Sequence, residues 1–266
     1  MKIKLLLITF IISCTSMMFG QTIFMKDFYK GKKSLTLDYN RANFNGIENK
    51  TFGGFYKLTY VHPVSEDYSI EGSISYLNNA YNDFMSVDNG FGNIYLGVNK
   101  KYNSGKSNLS LGIYLPTASN DVLLINALIP ATYNMGLVNT VGMMIRGNYA
   151  YHKECERGLI LGIEVGPDFF IATEENGSAD DVIVYLHAAG RIGYKVDNFK
   201  IYGEITNYVN VTSDIDKFKN RFINNFGLGV AYKVTDFEFG LNYKNTFEDY
   251  PGYNNGFGVS VKFSGF

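Results

Sequence analysis

The sequence has no tryptophan, 5 prolines in 266 residues, 2 cysteines and 3 histidines, and its 24 basic side chains nearly cancel 25 acidic ones. Each shortage excludes something. A net charge of −1 with no basic stripe argues against a nucleic-acid partner, which needs cationic side chains gathered on one face. With Cys14 inside an N-terminal leader, Cys155 is the remaining thiol, so no intramolecular disulfide is expected. Its neighbours Glu154 and Glu156 oppose thiolate formation, with Lys153 and Arg157 as counterweight, and it reads as a turn residue. His62, His152 and His187 fall on separate segments without ligand spacing, so no transition-metal site and no cofactor is expected. The apolar run Leu5 to Ile12 is shorter than the about 20 residues a membrane-crossing helix needs.

What the chain does have is 28 glycines and 16% aromatic residues. Few prolines with many tyrosines and phenylalanines suit long antiparallel strands, because rings fit pleated surfaces and proline removes a ladder donor. The start reads as an export signal: Lys2 and Lys4, the apolar run, then small and polar residues ending Phe19-Gly20-Gln21. Residues 1–20 are taken as the signal peptide. The stretch Ile11-Ile12-Ser13-Cys14 offers a rival, a lipoprotein signal with Cys14 lipidated. Residues 21–33 are mixed in character and form a periplasmic leader or a short plug. Residues 34–266 form one all-β domain.

From Leu35 onward, period-two segments alternate with connections that are themselves alternately short and long. The cleanest segment has Tyr68, Ile70, Gly72, Ile74 and Tyr76 on one face and Ser69, Glu71, Ser73 and Ser75 on the other. A segment ending at Val165 follows a charged turn from His152 to Arg157, and tight turns are placed at Pro63 to Glu66, Asn103 to Lys106, Asp197-Asn198 and Thr235-Asp236. About twelve segments result. An even count, short turns on the side of both termini and longer loops opposite predict a transmembrane up-and-down antiparallel β-barrel of a Gram-negative outer membrane, with short periplasmic turns and longer extracellular loops. Its partners are outer-membrane lipids and the barrel assembly machinery.

Folding each short hairpin about its turn sets Lys57 opposite Glu71, Arg146 opposite Glu164, Arg191 opposite Glu204 and Lys233 opposite Glu238, all on the non-apolar face. An opposite-charge cross-strand pair contributes about 0.2–1 kcal/mol, whereas a cation turned into mid-bilayer lipid costs about 2–4 kcal/mol. Lipid exclusion therefore sets the facing, and Leu161→Arg is expected to block assembly. Tyr60, Tyr68, Tyr149, Tyr194, Phe199, Tyr232, Phe237 and Phe263 cluster beside the short turns on the outward face, where an interfacial aromatic belt belongs.

The interior then carries Lys57, Lys100, Arg146, Arg191, Lys200, Lys233 and Lys244 with Glu71, Glu164, Glu204 and Glu238, and also Tyr95, Tyr114, Tyr185, Tyr202, Tyr208 and His187. No catalytic residue is expected, since outer-membrane acyl hydrolases keep a His two residues from a Ser and His187 is followed by Ala188 and Ala189. The acidic loop with Glu174, Glu175, Asp180 and Asp181 is read as solvated. Twelve strands fall between side-chain-filled eight-stranded barrels and open porins of sixteen or more, so a narrow pore and a plugged barrel both remain open. Lumen-facing Gly97, Gly112, Gly142, Gly162, Gly193, Gly227, Gly229 and Gly240 leave space and lean the reading toward a pore. The apolar loop with Val122, Leu123, Leu124, Ile125, Leu128 and Ile129 either folds inward as a constriction or ligand platform or extends the neighbouring hairpin.

Gly92-Asn93-Ile94-Tyr95-Leu96-Gly97-Val98, followed by Leu109 to Leu115 and then Pro116-Thr117, resembles the outer-membrane family named for phenol degradation, the MetA-pathway transporter-like proteins. That family shows a Gly-Asp-led strand, a short turn and a strand closing in Leu-Pro-Thr-Gly; Asn93 and Ala118 stand here in place of Asp and the last Gly. The resemblance implies an outer-membrane channel or transporter for small hydrophobic or aromatic compounds, with no catalytic residues. A closed structural or adhesive barrel acting through its surface loops is the alternative. Phe263 is in phase with Phe257, Val259 and Val261, so Phe263 and not Phe266 is expected to act as the terminal assembly signal.

Overall fold

In the computed structural model the described residues are 23–25, 32–44, 52–79, 90–118, 142–172, 182–212, 222–247 and 253–265. The signal segment, the apolar loop Val122 to Ile129, the acidic loop Glu174 to Asp181 and Phe266 lie outside them. Twelve strands occur among the described residues: β1 Ser34–Phe44, β2 Phe52–Pro63, β3 Tyr68–Asn79, β4 Gly90–Phe91 with Ile94–Tyr102, β5 Ser107–Leu115, β6 Gly142–Glu154, β7 Leu159–Ala172, β8 Val182–Val196, β9 Phe199–Asn210, β10 Phe222–Val234, β11 Phe237–Thr246 and β12 Tyr253–Ser264. Each pairs antiparallel with its sequence neighbours, and β12 pairs with β1 from Ser34↔Ser264 to Asn43↔Asn255. The sheet is thus closed, which satisfies every strand edge where no water can.

Side chains sort by parity. Leu111, Ile163, Ile192, Ile205 and Leu228 are exposed on the outer face, while Ser69, Asn99, Asn148, Thr206, Asn225 and Ser260 are buried inside. Apolar outside and polar inside inverts a soluble protein and is stable only where the outer face meets lipid. Tyr60, Tyr68, Tyr102, Tyr149, Tyr194 and Phe237 are exposed near the short-turn rim, the rim that also holds the Ser34↔Ser264 pair.

Turn chemistry decides the registers. Asp197 and Thr235 take positive φ, closing the tight β8–β9 and β10–β11 connections as expected, and the register sets Arg191 opposite Glu204 and Lys233 opposite Glu238. Two expected pairs are corrected. β2 runs on through Pro63, and the turn sits at Val64 to Asp67, where Val64 and Ser65 N–H groups donate to Tyr68 O at 2.9 and 3.1 Å. Lys57 therefore lies opposite Ser75 and Asp38, and Glu71 opposite Val61 and Gly97. Likewise β6 continues to Glu154, and the turn sits at Cys155 to Gly158, where Gly158 supplies a φ of +86°. Moving each turn two residues along slides the partner strand by four, so Arg146 faces Asp168 and Glu164 faces Ala150. β7 also passes Val165 and Pro167 to end at Ala172. The β6–β7 pairing is interrupted at Gly147 and Asn148, beside Gly166 and Pro167, as a proline without a donor requires.

In β4 the pairing to β3 slips by one residue across Gly92 and Asn93, the mark of a bulge. Asn93 is fully buried there. Its Oδ1 accepts from the N–H groups of Thr117 and Ala118, both at 2.9 Å, and Thr117 Oγ1 accepts from Ile94 N–H at 2.9 Å. The two ends of the Gly-Asn and Leu-Pro-Thr motif are thus one clamp, and the family-like residues have a structural role where β5 gives way to the following loop.

Candidate functional site in the barrel interior

Alternation on β6 to β9 aims a charged group inward from each of four adjacent strands. Arg146 of β6 has Nη2 3.6 Å from Glu164 Oε1 and Nε 3.7 Å from Asp168 Oδ1. His187 of β8 places Nδ1 3.4 Å from Asp168 Oδ2 and Nε2 3.3 Å from Asn148 Oδ1. The Tyr208 ring of β9 lies against the His187 ring at 5.9 Å between centroids. One guanidinium faces two carboxylates; Glu164, Asp168 and His187 are buried and Arg146 is nearly so. Asp168 Oδ1, Arg146 Nη1 and His187 Nδ1 have no hydrogen-bond partner among the described residues, nor do Asn225 Oδ1, Asn242 Oδ1 and Thr206 Oγ1 of the same inner wall. A buried polar atom left so costs stability unless water or a solute reaches it.

A second cluster lies one step round the wall. Arg191 Nε donates to Glu204 Oε1 at 2.7 Å, and its guanidinium sits 5.5 Å from the centre of the Tyr202 ring. Lys244 Nζ donates to Asn40 Oδ1 at 2.8 Å across β12. Toward the short-turn rim, Lys200 Nζ is 3.2 Å from Glu238 Oε2, so Glu238 is met by Lys200 as well as standing opposite Lys233. Glu71 accepts from Asn99 Nδ2 at 3.3 Å.

Lys57, Glu71, Tyr95, Tyr114, Arg146, Glu164, Tyr185, His187, Arg191, Lys200, Tyr202, Glu204, Tyr208, Lys233, Glu238 and Lys244 share the inward parity of their strands. Lys100 does not, which corrects its expected place. It shares the outward parity of Leu96 and Val98, with Nζ 5.2 and 4.9 Å from the Tyr68 and Tyr102 rings on the outer rim. A lysine can do this at a membrane interface because its stem stays in apolar surroundings while the ammonium reaches the polar zone. Asp168, Asn148 and Asp38 are interior groups that sequence reasoning passed over. The available signal was parity: Asp168 keeps the even phase of Glu164 straight through Pro167.

The space above several inward glycines is occupied, contrary to the expectation drawn from them. Tyr95 lies flat across Gly97 and Gly112, Tyr202 across Gly229, and Phe170 across Gly142, each so close that a Cβ at the glycine would collide with the ring. Glycine here is a mortise for an inward aromatic. The Tyr95 and Tyr114 rings are 4.6 Å apart, so this part of the wall is lined by ring faces.

No family model matches the chain, and no curated protein matches it. Solved structures do. The chain is similar to an outer-membrane channel from Pseudomonas putida F1, with 11% identity over 92% of this chain and 99% of the other and a TM-score of 0.58. It is similar to the NanC porin, with 12% identity over 87% and 98% and a TM-score of 0.54. It is also similar to the KdgM porin in complex with oligogalacturonate, with 11% identity over 88% and 99% and a TM-score of 0.53. At such identities the likeness is one of fold: the chain is a closed, antiparallel, twelve-stranded β-barrel of the outer-membrane type.

Proposed function

We propose that the protein is a channel in a bacterial outer membrane for small molecules of low net charge. The supporting observation is the group of Arg146, Asp168 and His187 midway along the inner wall, whose members stand 3.4 to 3.7 Å apart and so keep hydrogen-bonding capacity for water or a polar solute. A barrel sealed as a plain core would have paired or omitted them. Inward cations Lys57, Arg146, Arg191, Lys200, Lys233 and Lys244 are set against Asp38, Glu71, Glu164, Asp168, Glu204 and Glu238, so these groups balance along the described wall, with Lys195 and Lys262 at the short-turn rim. That differs from what a polyanion such as the oligogalacturonate held by the KdgM porin would need. The resemblance at Gly92 to Thr117 supports uncharged or aromatic solutes as the class.

The test is conductance of the purified protein in a planar bilayer together with swelling of protein-loaded liposomes. Small discrete steps, and faster swelling in neutral than in polyanionic solutes of equal size, are expected. No steps and no swelling would overturn the reading. They would favour a closed barrel acting through its surface loops, which the filled space above Gly97, Gly112 and Gly229 supports.

A further inference from the structure

Lys100 is a cation on the outer face, where the lumen cannot use it. It stands directly across the β3–β4 ladder from Tyr68, and Tyr102 follows two places on along the same strand and face. Its Nζ lies 5.2 Å from the centre of the Tyr68 ring and 4.9 Å from that of Tyr102, so rings from two strands hold the ammonium in the corner between them. Among the described residues no carboxylate forms an ion pair with it, and Asp67 in the adjoining turn is met by Lys101 Nζ at 4.0 Å. On the other flank Lys100 faces Leu109, and Leu109 faces Tyr149, whose hydroxyl donates to Ser107 Oγ at 3.2 Å. Away from the rim the same face continues as exposed Ile70, Val98, Leu96 and Leu111.

An ammonium fixed at the lipid boundary, flanked by rings and given no carboxylate by the protein, draws its counter-ion from its surroundings. At the depth of an aromatic belt that anion is the phosphodiester of a lipid. We infer that this patch is a binding site for an anionic membrane phospholipid in the leaflet at the short-turn rim. Lys100 holds the phosphodiester, Tyr68 and Tyr102 fix the ammonium, and Leu109, Val98 and Leu111 take the start of an acyl chain. A lysine that merely snorkels needs only its long stem. The two rings add a fixed position for the charge, which a bound headgroup requires and a hydrated ammonium does not. A phosphatidylglycerol headgroup suits the patch better than phosphatidylcholine, whose phosphate is already offset by its own cation. The site lies on the outer face and stands whether or not the lumen conducts.

The test mixes the purified full chain, in a non-ionic detergent, with dioleoylphosphatidylglycerol or dioleoylphosphatidylcholine and counts retained lipid by native mass spectrometry. The heat-dependent shift in electrophoretic mobility of a folded barrel confirms beforehand that each variant is folded. The parent should retain phosphatidylglycerol about fivefold more tightly than phosphatidylcholine, the scale of one lysine beside an anionic lipid surface. Lys100→Gln should remove that preference and Lys100→Arg should keep it. Lys195→Gln removes a cation of the same rim that faces inward beside Glu154, and should leave the preference unchanged. Inorganic phosphate should not displace the lipid, because it cannot use the apolar strip; displacement would reveal a bare anion site and overturn the phospholipid assignment. Equal retention of the two lipids by the parent, or the same preference in Lys100→Gln as in the parent, overturns the site. So does an equal loss in Lys195→Gln, which would reduce the effect to net charge.

Discussion

Arg146 on β6 stands directly across the ladder from Asp168 on β7, with Nε 3.7 Å from Oδ1, Asp168 buried in the wall of the barrel and Arg146 nearly so. Removing one partner leaves the other charge without its nearest counter-ion. Asp168→Leu should therefore destabilise the barrel by about 3–5 kcal/mol, read from urea unfolding in lipid vesicles. Adding Arg146→Leu should recover part of that loss. Equal stability of Asp168→Leu and the parent would show that Glu164, 3.6 Å from Arg146, carries the pairing alone.

Tyr95 predicts the behaviour of Gly112. A methyl at residue 112 enters the space of the Tyr95 ring, so Gly112→Ala should cost about 1–3 kcal/mol through overpacking. In a Tyr95→Ala background the same change should cost almost nothing, since the colliding ring is gone. A double-mutant cycle on unfolding midpoints reads this directly, and additive effects would disprove the mortise.

Depth in the membrane separates two lipid-facing arginines. Ile205 is 59% exposed at the middle of β9, whereas Leu161 stands opposite Lys153, two residues into β7 beside the short-turn rim. Ile205→Arg should lower folding free energy by about 2–4 kcal/mol and Leu161→Arg by about 0–1 kcal/mol. The structure thus moves the sensitive site from Leu161, where sequence parity alone put it, to Ile205. Folding yields into vesicles, with both variants side by side, measure the difference.

Phe263 pairs with Leu35 of β1 and Phe237 of β11, its ring 4.8 Å from that of Phe237, so it sits on the closing seam. Phe263→Ala should slow assembly into vesicles more than Phe266→Ala does. The opposite order would place the terminal signal beyond Ser264.

Parity was legible along nearly the whole chain, because lipid outside and polar groups inside impose a period of two on every strand. Lys100 shows where that rule was set aside too soon. Its phase with Ile94, Leu96 and Val98 pointed outward, and only its charge suggested the interior. The Asp197 and Thr235 turns were equally legible, since a two-residue turn, closed here by positive φ at Asp197 and at Thr235, leaves one register. Val64 to Asp67 and Cys155 to Gly158 were not, because a four-residue turn can start at more than one position and each step moves the facing pair by two. Hence Lys57 stands opposite Ser75 and Arg146 opposite Asp168, neither of which folding the short hairpins suggested.

By itself the sequence determined the class of fold, the facing of the strands and the ring of aromatic anchors, all consequences of local alternation against lipid. Only the tertiary structure decided what fills the interior. Closing the sheet brings Glu204 to Phe24 and Met25, lays Tyr95 over Gly112, and joins Asn93 to Thr117. Those contacts depend on barrel curvature and on which side chains meet across it, and no periodicity along a single strand encodes either.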